Sequence, residues 1–599
     1  MRQPAARREN AWLAAAVPLL DRSVTRALAA GVAVENRLGF ARSFTFRVAA
    51  AYAASLYPTR TPLQAPEDLR LVPLDHEMDG IATQFGGGLA GIPATEAAYL
   101  LGCIYTSALP VDFRAAHGVF YTPPEIVRHT LDMAERAGTD WREARCLDPS
   151  AGGGAFIIEM IRRIRIALAG TDPAFVLSQI ATRVRGYDVD PFGVWLGQAI
   201  AHFVVHDLEA ASGRRLGKIV RLHDSLEVRP DDRSAFDLVS SNVPFGRITL
   251  PPERRALYAR STYGHANLYG LFADAGLHYA AKHGLLAFVM PTSMLSGLYF
   301  QSLRALLARA APPHEITFVT ERAGVFDDAL QETMLATYCK GRHTQNGKVH
   351  FLTVDSNGQA HLTNAGGFSL PAVETAPWIL PRTADRADLA ERLRGMKFRL
   401  ASYGYTVSTG PLVWNRHKPQ FRPKPEPDCV PVVWAEALTS DGRFIWRADR
   451  RGHAPWFMPR PGKDDWLIVR DACVLLQRTT AKEQDRRLIA AEMTDSFIAS
   501  HGGGVTIENH LNMIRTRADR PDVSPAVIAV ILNSAATDAA FRCISGSVAV
   551  SAFELEELPL PAPATMRKIA ALLDRAASKM EIELVIDAAY GLSHVAAAA

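Results

Sequence analysis

The sequence has few cysteines, and they form neither a zinc-binding pattern nor a disulfide framework. Its 599 residues include six cysteines, and no two of them make a Cys-x-x-Cys pair. Zinc clusters usually contain such pairs, and scattered cysteines are typical of free thiols in a reducing compartment. The sequence therefore predicts no metal site and no disulfides.

Long apolar runs and an excess of one charge are also lacking. No uninterrupted apolar segment reaches the ~18 residues that a membrane-spanning helix needs. Arg22 and Arg26 interrupt the apolar run near the N-terminus, which makes it a poor signal peptide. The chain has 66 lysines and arginines against 62 aspartates and glutamates, a net charge of +4. We therefore expect a cytoplasmic protein with no membrane partner, whose overall charge does not by itself indicate nucleic acid.

The chain is long enough for several domains. Its N-terminal part is rich in alanine and leucine with helical periodicity, and Gly86-Gly87-Gly88 is expected to break a helix there. Past residue 345 the sequence turns polar and then proline-rich. We predict a helical N-terminal domain at 1–110, an α/β domain at 111–345, a linker at 346–400, a mixed α+β domain at 401–561 and a helical tail at 562–599.

Four strand ends in the predicted α/β domain carry polar residues. Each of the four strands is short and apolar, and a helical pattern follows it. The polar ends are Asp148, Asp188, Asp224 and Asn242. This alternation predicts a doubly wound parallel sheet, in which ligands bind at the carboxyl ends of the strands.

A glycine-rich turn follows the first strand. It reads Asp148-Pro149-Ser150-Ala151-Gly152-Gly153-Gly154-Ala155-Phe156 and lacks the lysine of a nucleotide-phosphate loop. Glycines let the backbone approach a ligand closely. The turn resembles motif I of S-adenosylmethionine-dependent N6-adenine DNA methyltransferases, in which Asp-Pro-x-x-Gly-x-Gly-x-Phe recurs. The resemblance implies S-adenosyl-L-methionine as cofactor and a Rossmann-like fold, with these cofactor-binding residues: Asp148, Pro149, Ser150, Ala151, Gly152, Gly154 and Phe156.

A segment upstream of the turn resembles the family's motif that touches the methionine part of the cofactor. It contains Tyr121, Thr122 and Pro123. Thr122 is expected to cap a helix that begins at Pro123, because proline is favoured in the first helical turn. A helix N-terminus offers free N–H groups to a carboxylate.

The second and third strand ends are expected to hold the adenosine part of the cofactor. An acidic residue that ends the second strand of such a fold binds ribose hydroxyls, and here Asp188 and Asp190 both qualify, with no basis for a choice. Asp224, followed by Ser225, ends the third strand and is expected to accept a hydrogen bond from the cofactor's adenine amino group.

The fourth strand ends in Asn242-Val243-Pro244-Phe245, which resembles the Asn-Pro-Pro-(Tyr/Phe) motif of amino-methylating DNA methyltransferases. Val243 stands where the family usually has proline. The resemblance implies that Asn242 Oδ1 and a backbone carbonyl, that of Val243, accept hydrogen bonds from the target amino group, and that Phe245 stacks on the flipped base. Since the Val243 role belongs to the backbone, and Pro244 already favours an extended conformation there, we expect a small effect of this departure.

The region after residue 400 combines basic and aromatic residues. Residues 401–520 hold 18 lysines and arginines against 14 acids, and five of the nine tryptophans. Three segments in it loosely resemble target-recognition domains of Type II adenine methyltransferases. The implied DNA-contacting residues are Arg416, Lys418, Arg478, Thr479, Asn509 and His510.

These features together predict a site-specific adenine DNA methyltransferase that acts by base flipping within a restriction-modification or phage-defence system. Double-stranded DNA is the expected partner, with a cognate restriction endonuclease or defence-system subunits. No convincing nuclease pattern is present, which favours a modification enzyme alone. The alternatives are an RNA or protein methyltransferase, a cytosine N4 methyltransferase, and a catalytically weak or inactive DNA-binding subunit.

Overall fold

A computed structural model of the chain describes residues 22–58, 62–65, 69, 71–117, 122–320, 332–344, 346–354, 360–447, 452–480, 486–516, 521–545 and 549–592. The chain divides into two compact units. The first unit is Met1–Pro291 with Ser302–Ser369, and the second is Thr292–Gln301 with Leu370–Ala599. No single helix in the described ranges is long and apolar enough to cross a membrane, and the pair Pro525–Leu532 and Ala535–Ile544 meets that test only when joined across its 71° bend.

The first unit begins with five helices. They are α1 (Arg22–Ala30), α2 (Arg37–Leu56), α3 (His76–Leu89), α4 (Ala94–Ala108) and α5 (Val111–His117). The predicted break at Gly86–Gly88 is wrong, since these glycines lie inside α3. A Cβ on Gly86 would lie 2.5 Å from the Val48 carbonyl oxygen. Gly86 therefore lets α3 pack closely on α2, and tertiary contact outweighs the weak helix propensity of glycine.

A nine-stranded sheet forms the centre of the first unit. Its strands are β1 (Cys146–Asp148), β2 (Val184–Asp188), β3 (Val220–Leu222), β4 (Phe236–Asn242), β7 (Ala280–Pro291), β8 (Pro313–Val319), β9 (Thr333–Cys339), β10 (Asn346–Val354) and β11 (Ala360–Ser369). They lie in the order β11-β10-β8-β9-β7-β4-β1-β2-β3. β7, β4, β1, β2 and β3 are mutually parallel, whereas β9 is antiparallel to both of its neighbours. The strand order reverses beside β1, where ligands of doubly wound folds bind.

Helices cover this sheet, and a short two-stranded ribbon follows β4. The helices are α6 (Pro124–Ala137), α7 (Ala155–Ala167), α8 (Pro173–Arg183), α9 (Pro191–Val204), α10 (His206–Ser212), α11 (Pro252–Leu257), α12 (Leu268–Tyr279) and α13 (Gln301–Ala310). The ribbon pairs β5 (Arg247–Ile248) with β6 (Ala266–Asn267). The first unit thus has the predicted Rossmann-like, doubly wound fold with a helical N-terminal part.

The segment expected to be a linker, 346–400, instead begins with two strands of this sheet. β10 runs parallel to β8, and β11 pairs antiparallel with β10. The interior of β10 is buried at alternating positions, whereas most of β11 is exposed at the edge of the sheet. An exposed edge strand needs no apolar pattern, and its polar composition gave the expectation of a linker. The family resemblance also implies a loop near the flipped base between the last two strands of the α/β domain, and the corresponding segment, Phe326–Gln331, lies outside the described residues.

The second unit contains two small sheets, which fits the predicted mixed α+β class. One sheet has the order β12-β20-β17-β18, and the other β13-β15-β14-β19-β16. The strands are β12 (Tyr405–Thr409), β13 (Phe421–Arg422), β14 (Val430–Val433), β15 (Trp456–Phe457), β16 (Ile468–Val469), β17 (Cys473–Gln477), β18 (Ala490–Met493), β19 (Val505–Ile507) and β20 (Leu511–Thr516). Two separate apolar clusters contain residues of the four-stranded sheet. One includes Val474, Ile514 and Phe541, and the other includes Leu475 and Met513.

The helices of the second unit lie before, between and after its strands in sequence. They are α14 (Ala387–Gly395), α15 (Asp495–Ser500), α16 (Pro525–Leu532), α17 (Ala535–Ile544), α18 (Ala552–Glu556), α19 (Pro563–Asp574) and α20 (Lys579–Tyr590). The tail helices α19 and α20 contribute Met566, Ile569 and Ile586 to the same core as β17. These two helices therefore pack on the core of the second unit.

Candidate active site and nucleic-acid interface

The carboxyl ends of β1, β2, β3 and β4 border one cavity in the first unit. Its lining includes these residues, which the sequence predicts to bind the cofactor or the target base: Thr122, Asp148, Pro149, Ser150, Ala151, Gly152, Phe156, Asp188, Asp190, Ser225, Asn242 and Pro244. The lining also includes these residues, for which the sequence predicts no such role: Tyr99, Gly102, Thr106, Phe113, Gly153, Ala155, Val189, His223 and Phe272. The cavity therefore unites residues from eight separate segments of the chain.

Among the described residues, some predicted ones do not line the cavity. They are Pro123, Gly154, Asp224, Val243 and Phe245. Tyr121 lies outside the described residues.

Helices α4 and α5 of the N-terminal part form one wall of the cavity, which the sequence analysis missed. Gly102 of α4 contacts the glycine-rich turn directly, because a Cβ on Gly102 would lie 2.6 Å from the Gly153 carbonyl oxygen. Tyr99, one turn before Gly102, is buried. The helical periodicity of this region shows apolar faces but not what they pack against, so it held no signal for this contact.

The glycine-rich turn has the backbone that its glycines permit. Gly152 and Gly154 have φ angles of +47° and +78°, in the left-handed region that favours glycine. Gly154 is the N-cap of α7. The backbone of the turn therefore passes from the end of β1 into α7 at the cavity wall.

Asp188, at the end of β2, is bound to this turn. Gly152 N–H donates to Asp188 Oδ2 (2.7 Å), and Asp190 N–H donates to Asp188 Oδ1 (2.8 Å). Burial raises the pKa of Asp188 to about 6, although both backbone bonds favour the charged form.

Asp190 accepts hydrogen bonds from two side chains as well as from the backbone, whereas the bonds described above for Asp188 come from the backbone. Its Oδ1 accepts from Phe192 N–H (3.1 Å) and from Arg42 Nη2 (2.9 Å), and its Oδ2 accepts a short hydrogen bond from the Tyr105 hydroxyl. Asp190 thus caps helix α9 and ties it to helices α2 and α4.

Asp148, at the end of β1, is a buried carboxylate in the cavity wall. Its Oδ1 accepts from Ser150 N–H (3.0 Å) and from the Ser241 hydroxyl (2.7 Å). Burial raises the pKa of Asp148 to about 7, and the charge of Asp188 contributes in the same direction, whereas the two hydrogen bonds act against it. No described cation forms an ion pair with either carboxylate. The cavity therefore presents two acids whose charge the protein leaves uncompensated.

Asn242 presents an acceptor that has no hydrogen-bond partner in the described structure. Its Nδ2 donates to Thr122 Oγ1 (2.9 Å), whereas its Oδ1 is buried and unpaired. The Ser150 hydroxyl lies 3.2 Å from the Asn242 carbonyl oxygen and 2.6 Å from Ser241 Oγ. An unpaired buried acceptor is costly, about 1–3 kcal/mol, and is the type of group that a ligand donor satisfies.

Thr122 does not cap a helix as predicted. Helix α6 begins at Pro124, with Pro123 as its N-cap and no side-chain capping bond. The Thr122 hydroxyl instead accepts the hydrogen bond from Asn242, 120 residues away. Two consecutive prolines shift the helix start by one residue, and the Thr122 hydroxyl binds Asn242 of the Asn-x-Pro-Phe motif instead.

Two of the three apolar residues of the Asn-x-Pro-Phe motif, Val243 and Phe245, do not line the cavity. Val243 is buried, and Phe245 is 8% exposed. The Phe245 ring packs edge-on against Tyr269 with 6.4 Å between ring centroids. Pro244, between them, is the apolar residue of the motif that faces the cavity.

Asp224 is directed away from the cavity. Its Oδ2 forms an ion pair with Arg254 (2.7 Å), and its Oδ1 accepts from Leu226 N–H (3.0 Å). Arg254 also binds Glu227. The preceding residue, His223, lines the cavity in its place, and its Nε2 is buried without a partner in the described structure. Arg254 lies 30 residues downstream, so no local pattern indicated this pairing.

The residues predicted to contact DNA gather at one end of the four-stranded sheet of the second unit. Leu412 forms a bridge with Glu508, Asn509 N–H donates to the Leu412 carbonyl oxygen (3.0 Å), and Arg478 N–H donates to the His510 carbonyl oxygen (2.8 Å). These backbone bonds join the three predicted segments into one surface.

The side chains of this surface differ in availability. Arg416, Lys418, Thr479 and His510 are exposed, and the Lys418 ammonium lies 5.1 Å above the Trp414 ring. The remaining two are half-buried: the backbone of Asn509 is bound in the bridge, and Arg478 Nη1 donates to its carbonyl oxygen (3.2 Å). The exposed cations and ring give this surface the chemistry of a phosphate-contacting and stacking site.

Comparison with known families identifies a methyltransferase region. Residues 210–326, which include all of β3 and β4, match the family model of the Eco57I restriction-modification methylase. The chain is 24% identical over 349 residues to Type II methyltransferase M.BsuBI of Bacillus subtilis, covering 57% of this chain and 68% of that protein. It is 26% identical over 343 residues to Type II methyltransferase M.PstI of Providencia stuartii, covering 56% of this chain and 66% of that protein.

Solved structures share the fold at low sequence identity. The Type IIL restriction-modification enzyme MmeI, solved in complex with DNA, aligns with a TM-score of 0.53 and 12% identity, covering 94% of this chain and 97% of that chain. A nuclease-deletion mutant of the Type ISP enzyme LlaGI, in complex with a DNA substrate mimic, aligns with a TM-score of 0.52 and 9% identity, covering 83% and 50%. The comparisons confirm the predicted resemblance to methyltransferases of restriction-modification systems.

Proposed function

We propose that this chain is a S-adenosylmethionine-dependent DNA methyltransferase of a restriction-modification system, and that it methylates the N6 amino group of adenine in double-stranded DNA. The observation that carries the proposal is Asn242 Oδ1, a buried acceptor with no partner in the described structure, in the wall of a cavity with two uncompensated carboxylates. The relatives of the chain are Type II methyltransferases, which supports the same reading.

The cavity fits the cofactor in charge. S-adenosylmethionine has a positive sulfonium and a positive ammonium group, and when bound it supplies an electrophilic methyl group. Asp148 and Asp188 are buried acids with no ion-pair partner in the described structure, and a nearby cation would favour their charged forms. We assign Asp148 to the ammonium group, and Thr122 with the N-terminus of α6 to the carboxylate.

Asp188, rather than Asp190, is the proposed ribose ligand. Each carboxylate oxygen can accept about two hydrogen bonds. Asp190 already receives side-chain bonds from Arg42 and Tyr105 as well as a backbone bond from Phe192, whereas the hydrogen bonds to Asp188 in the described structure come from backbone N–H groups, among them those of Gly152 and Asp190. We therefore assign the ribose hydroxyls to Asp188.

The target base is recognised at the end of β4. A base inside the duplex cannot reach this cavity, so it must be flipped out. Asn242 Oδ1 and the Val243 carbonyl accept hydrogen bonds from the adenine amino group, which leaves more electron density on the nitrogen for attack on the methyl group. Pro244 lies against the ring, and Phe245 stacks on it after its ring turns away from Tyr269. Holding the nitrogen at a near-attack distance supplies much of the rate.

Thr122 sets the orientation of the catalytic amide. Because its oxygen accepts from Asn242 Nδ2 (2.9 Å), the other end of the amide, Oδ1, is directed away from Thr122. The hydroxyl hydrogen of Thr122 stays available for the carboxylate of the cofactor. One side chain thereby contacts both the methionine subsite and the base-recognition group.

The second unit is the proposed DNA-recognition domain. Arg416, Lys418, Thr479 and His510 are exposed and belong to segments that backbone hydrogen bonds join, and we propose that they share one surface that makes phosphate and base contacts. Arg478 and Asn509, which are half-buried, position this surface. We also propose that the chain works beside a separate restriction endonuclease.

Cytosine N4 methylation uses the same acceptor geometry, and an inactive DNA-binding subunit would keep the same surface. A filter assay with radiolabelled S-adenosylmethionine separates these readings. Purified protein should transfer label to mixed-sequence DNA, and hydrolysis of that DNA should give labelled N6-methyladenine. Asn242→Ala should still bind the cofactor and DNA but transfer label about 10²–10³-fold more slowly. Label on cytosine, or binding of both ligands without any transfer by the wild type, would contradict the proposal.

A further inference from the structure

The end of β3 offers the cavity an imidazole where the family resemblance implies a carboxylate. Asp224, the expected adenine ligand, has its two oxygens bound to Arg254 and to the Leu226 N–H, and it is absent from the described cavity lining. His223 lines the cavity instead. The polar group available for the adenosine part of the cofactor is therefore different from the one that the motif alone predicts.

The ring of His223 is held in place by its neighbours. It packs edge-on against Tyr187, with 4.8 Å between ring centroids and a 75° interplanar angle. Its backbone N–H donates to the Asp188 carbonyl oxygen (2.9 Å), which links it to the proposed ribose ligand. Tyr187 is fully buried and donates to Asp232 (2.8 Å), so the wall behind the ring is fixed.

The Nε2 atom of His223 is buried and has no partner in the described structure. Buried ring nitrogens are rarely left unpaired, and in a cavity wall a ligand can supply the partner. Val189 also lines the cavity beside the end of β2 and is 53% exposed, although it is apolar. An open apolar side chain and an unpaired ring nitrogen together suit the face and the edge of a purine.

We propose that His223 Nε2 forms a hydrogen bond with the edge of the cofactor's adenine ring. This inference rests on the proposed function, because it assigns a role within the same cofactor site. It makes His223 a specificity residue for the cofactor base, in the place that the motif gives to Asp224.

The test measures binding of two neutral-sulfur probes by isothermal titration calorimetry. S-adenosylhomocysteine has the adenine edge, and S-inosylhomocysteine has an oxo group at position 6 and a donor at N1. The wild type should prefer the adenine probe by about tenfold or more, the value of one hydrogen bond. His223→Ala should lose this preference and bind both probes with similar affinity. The rival variant Asp224→Asn should keep the preference.

Loss of the preference in Asp224→Asn together with its retention in His223→Ala would overturn the proposal. Thermal unfolding of each variant shows that it is folded, and His223→Gln provides a second variant that keeps a polar group near Nε2 and should retain part of the preference. If the wild type binds neither probe, the proposed function itself fails. Binding of both probes with equal affinity by the wild type refutes the base contact alone.

Discussion

Cofactor affinity should depend on pH through Asp148. Asp148 is a buried carboxylate, and burial raises its pKa to about 7. Cofactor binding perturbs this group because it places a positively charged ammonium group beside the carboxylate. In the free protein the proton stays bound below that pH. Binding of a cation favours the ionised form, so it must release the proton, and affinity rises with pH until the group is already ionised in the free protein.

The magnitude follows from the two pKa values. A group with a pKa of about 7 is about 90% protonated at pH 6 and about 10% protonated at pH 8, so affinity should be about tenfold lower at pH 6 than at pH 8. Asp188, with a pKa raised to about 6, should add about another factor of two. The free energy of unfolding should change with pH in the opposite direction to the cofactor affinity. Because the folded free protein holds protons that the unfolded chain loses near pH 4, its free energy of unfolding should fall as pH rises from about 4 to about 7.

The assay is calorimetric titration of S-adenosylhomocysteine at pH 6 and pH 8, in buffers with different ionisation enthalpies. The difference between buffers reports proton release, which should be about 1.4 protons at pH 6, about 0.9 from Asp148 and about 0.5 from Asp188, and close to none at pH 8. Asp148→Asn should bind more weakly and show a much flatter pH dependence. Equal affinities at both pH values in the wild type, with no proton release, would refute the assignment of Asp148 to the ammonium group.

Three further changes should have separable effects. Asn242→Ala should lower kcat about 10²–10³-fold, the usual cost of one lost group that stabilises developing charge, while S-adenosylhomocysteine affinity measured by calorimetry changes little; a fall in both would point to a collapsed site. Gly86→Ala should destabilise the protein by about 1–3 kcal/mol, because its Cβ would meet the backbone of α2. Gly87→Ala, whose Cβ meets nothing within 4 Å in the same helix, should stabilise it by about 0.5–1 kcal/mol, and thermal unfolding compares the two. Arg416→Ala should weaken DNA binding and reduce the slope of log affinity against log salt concentration by about one. The control is Arg575→Ala, an exposed arginine in the loop before α20, which should change neither quantity. Equal slopes for the two variants would show that Arg416 does not contact DNA.

The sequence was sufficient for the parts of the site that depend on strand ends. Asp148, Asp188 and Asn242 each end a short apolar strand, and parallel strands bring such ends to one edge of the sheet. The left-handed φ angles of Gly152 and Gly154 follow the same local logic, because few other residues adopt them.

The parts that the sequence did not reveal depend on contacts between distant residues. Asp224 forms an ion pair with Arg254, and Thr122 accepts a hydrogen bond from Asn242, 120 residues downstream. The cavity wall formed by α4 depends on the contact between Gly102 and Gly153. None of these pairings leaves a periodic or compositional trace in the sequence, so a pattern of single residues could not predict them.

The central claim, adenine methylation in DNA, is tested most directly by mapping modified bases. The chain would be expressed in a host without DNA methylation, and its genomic DNA read by single-molecule sequencing, with Asn242→Ala as the matched control. We predict N6-methyladenine at one recurring sequence in the wild type and a far lower modified fraction at that sequence in the variant. N4-methylcytosine at the recurring sequence, or unmodified DNA from a host that contains folded, cofactor-binding wild-type protein, would contradict the account.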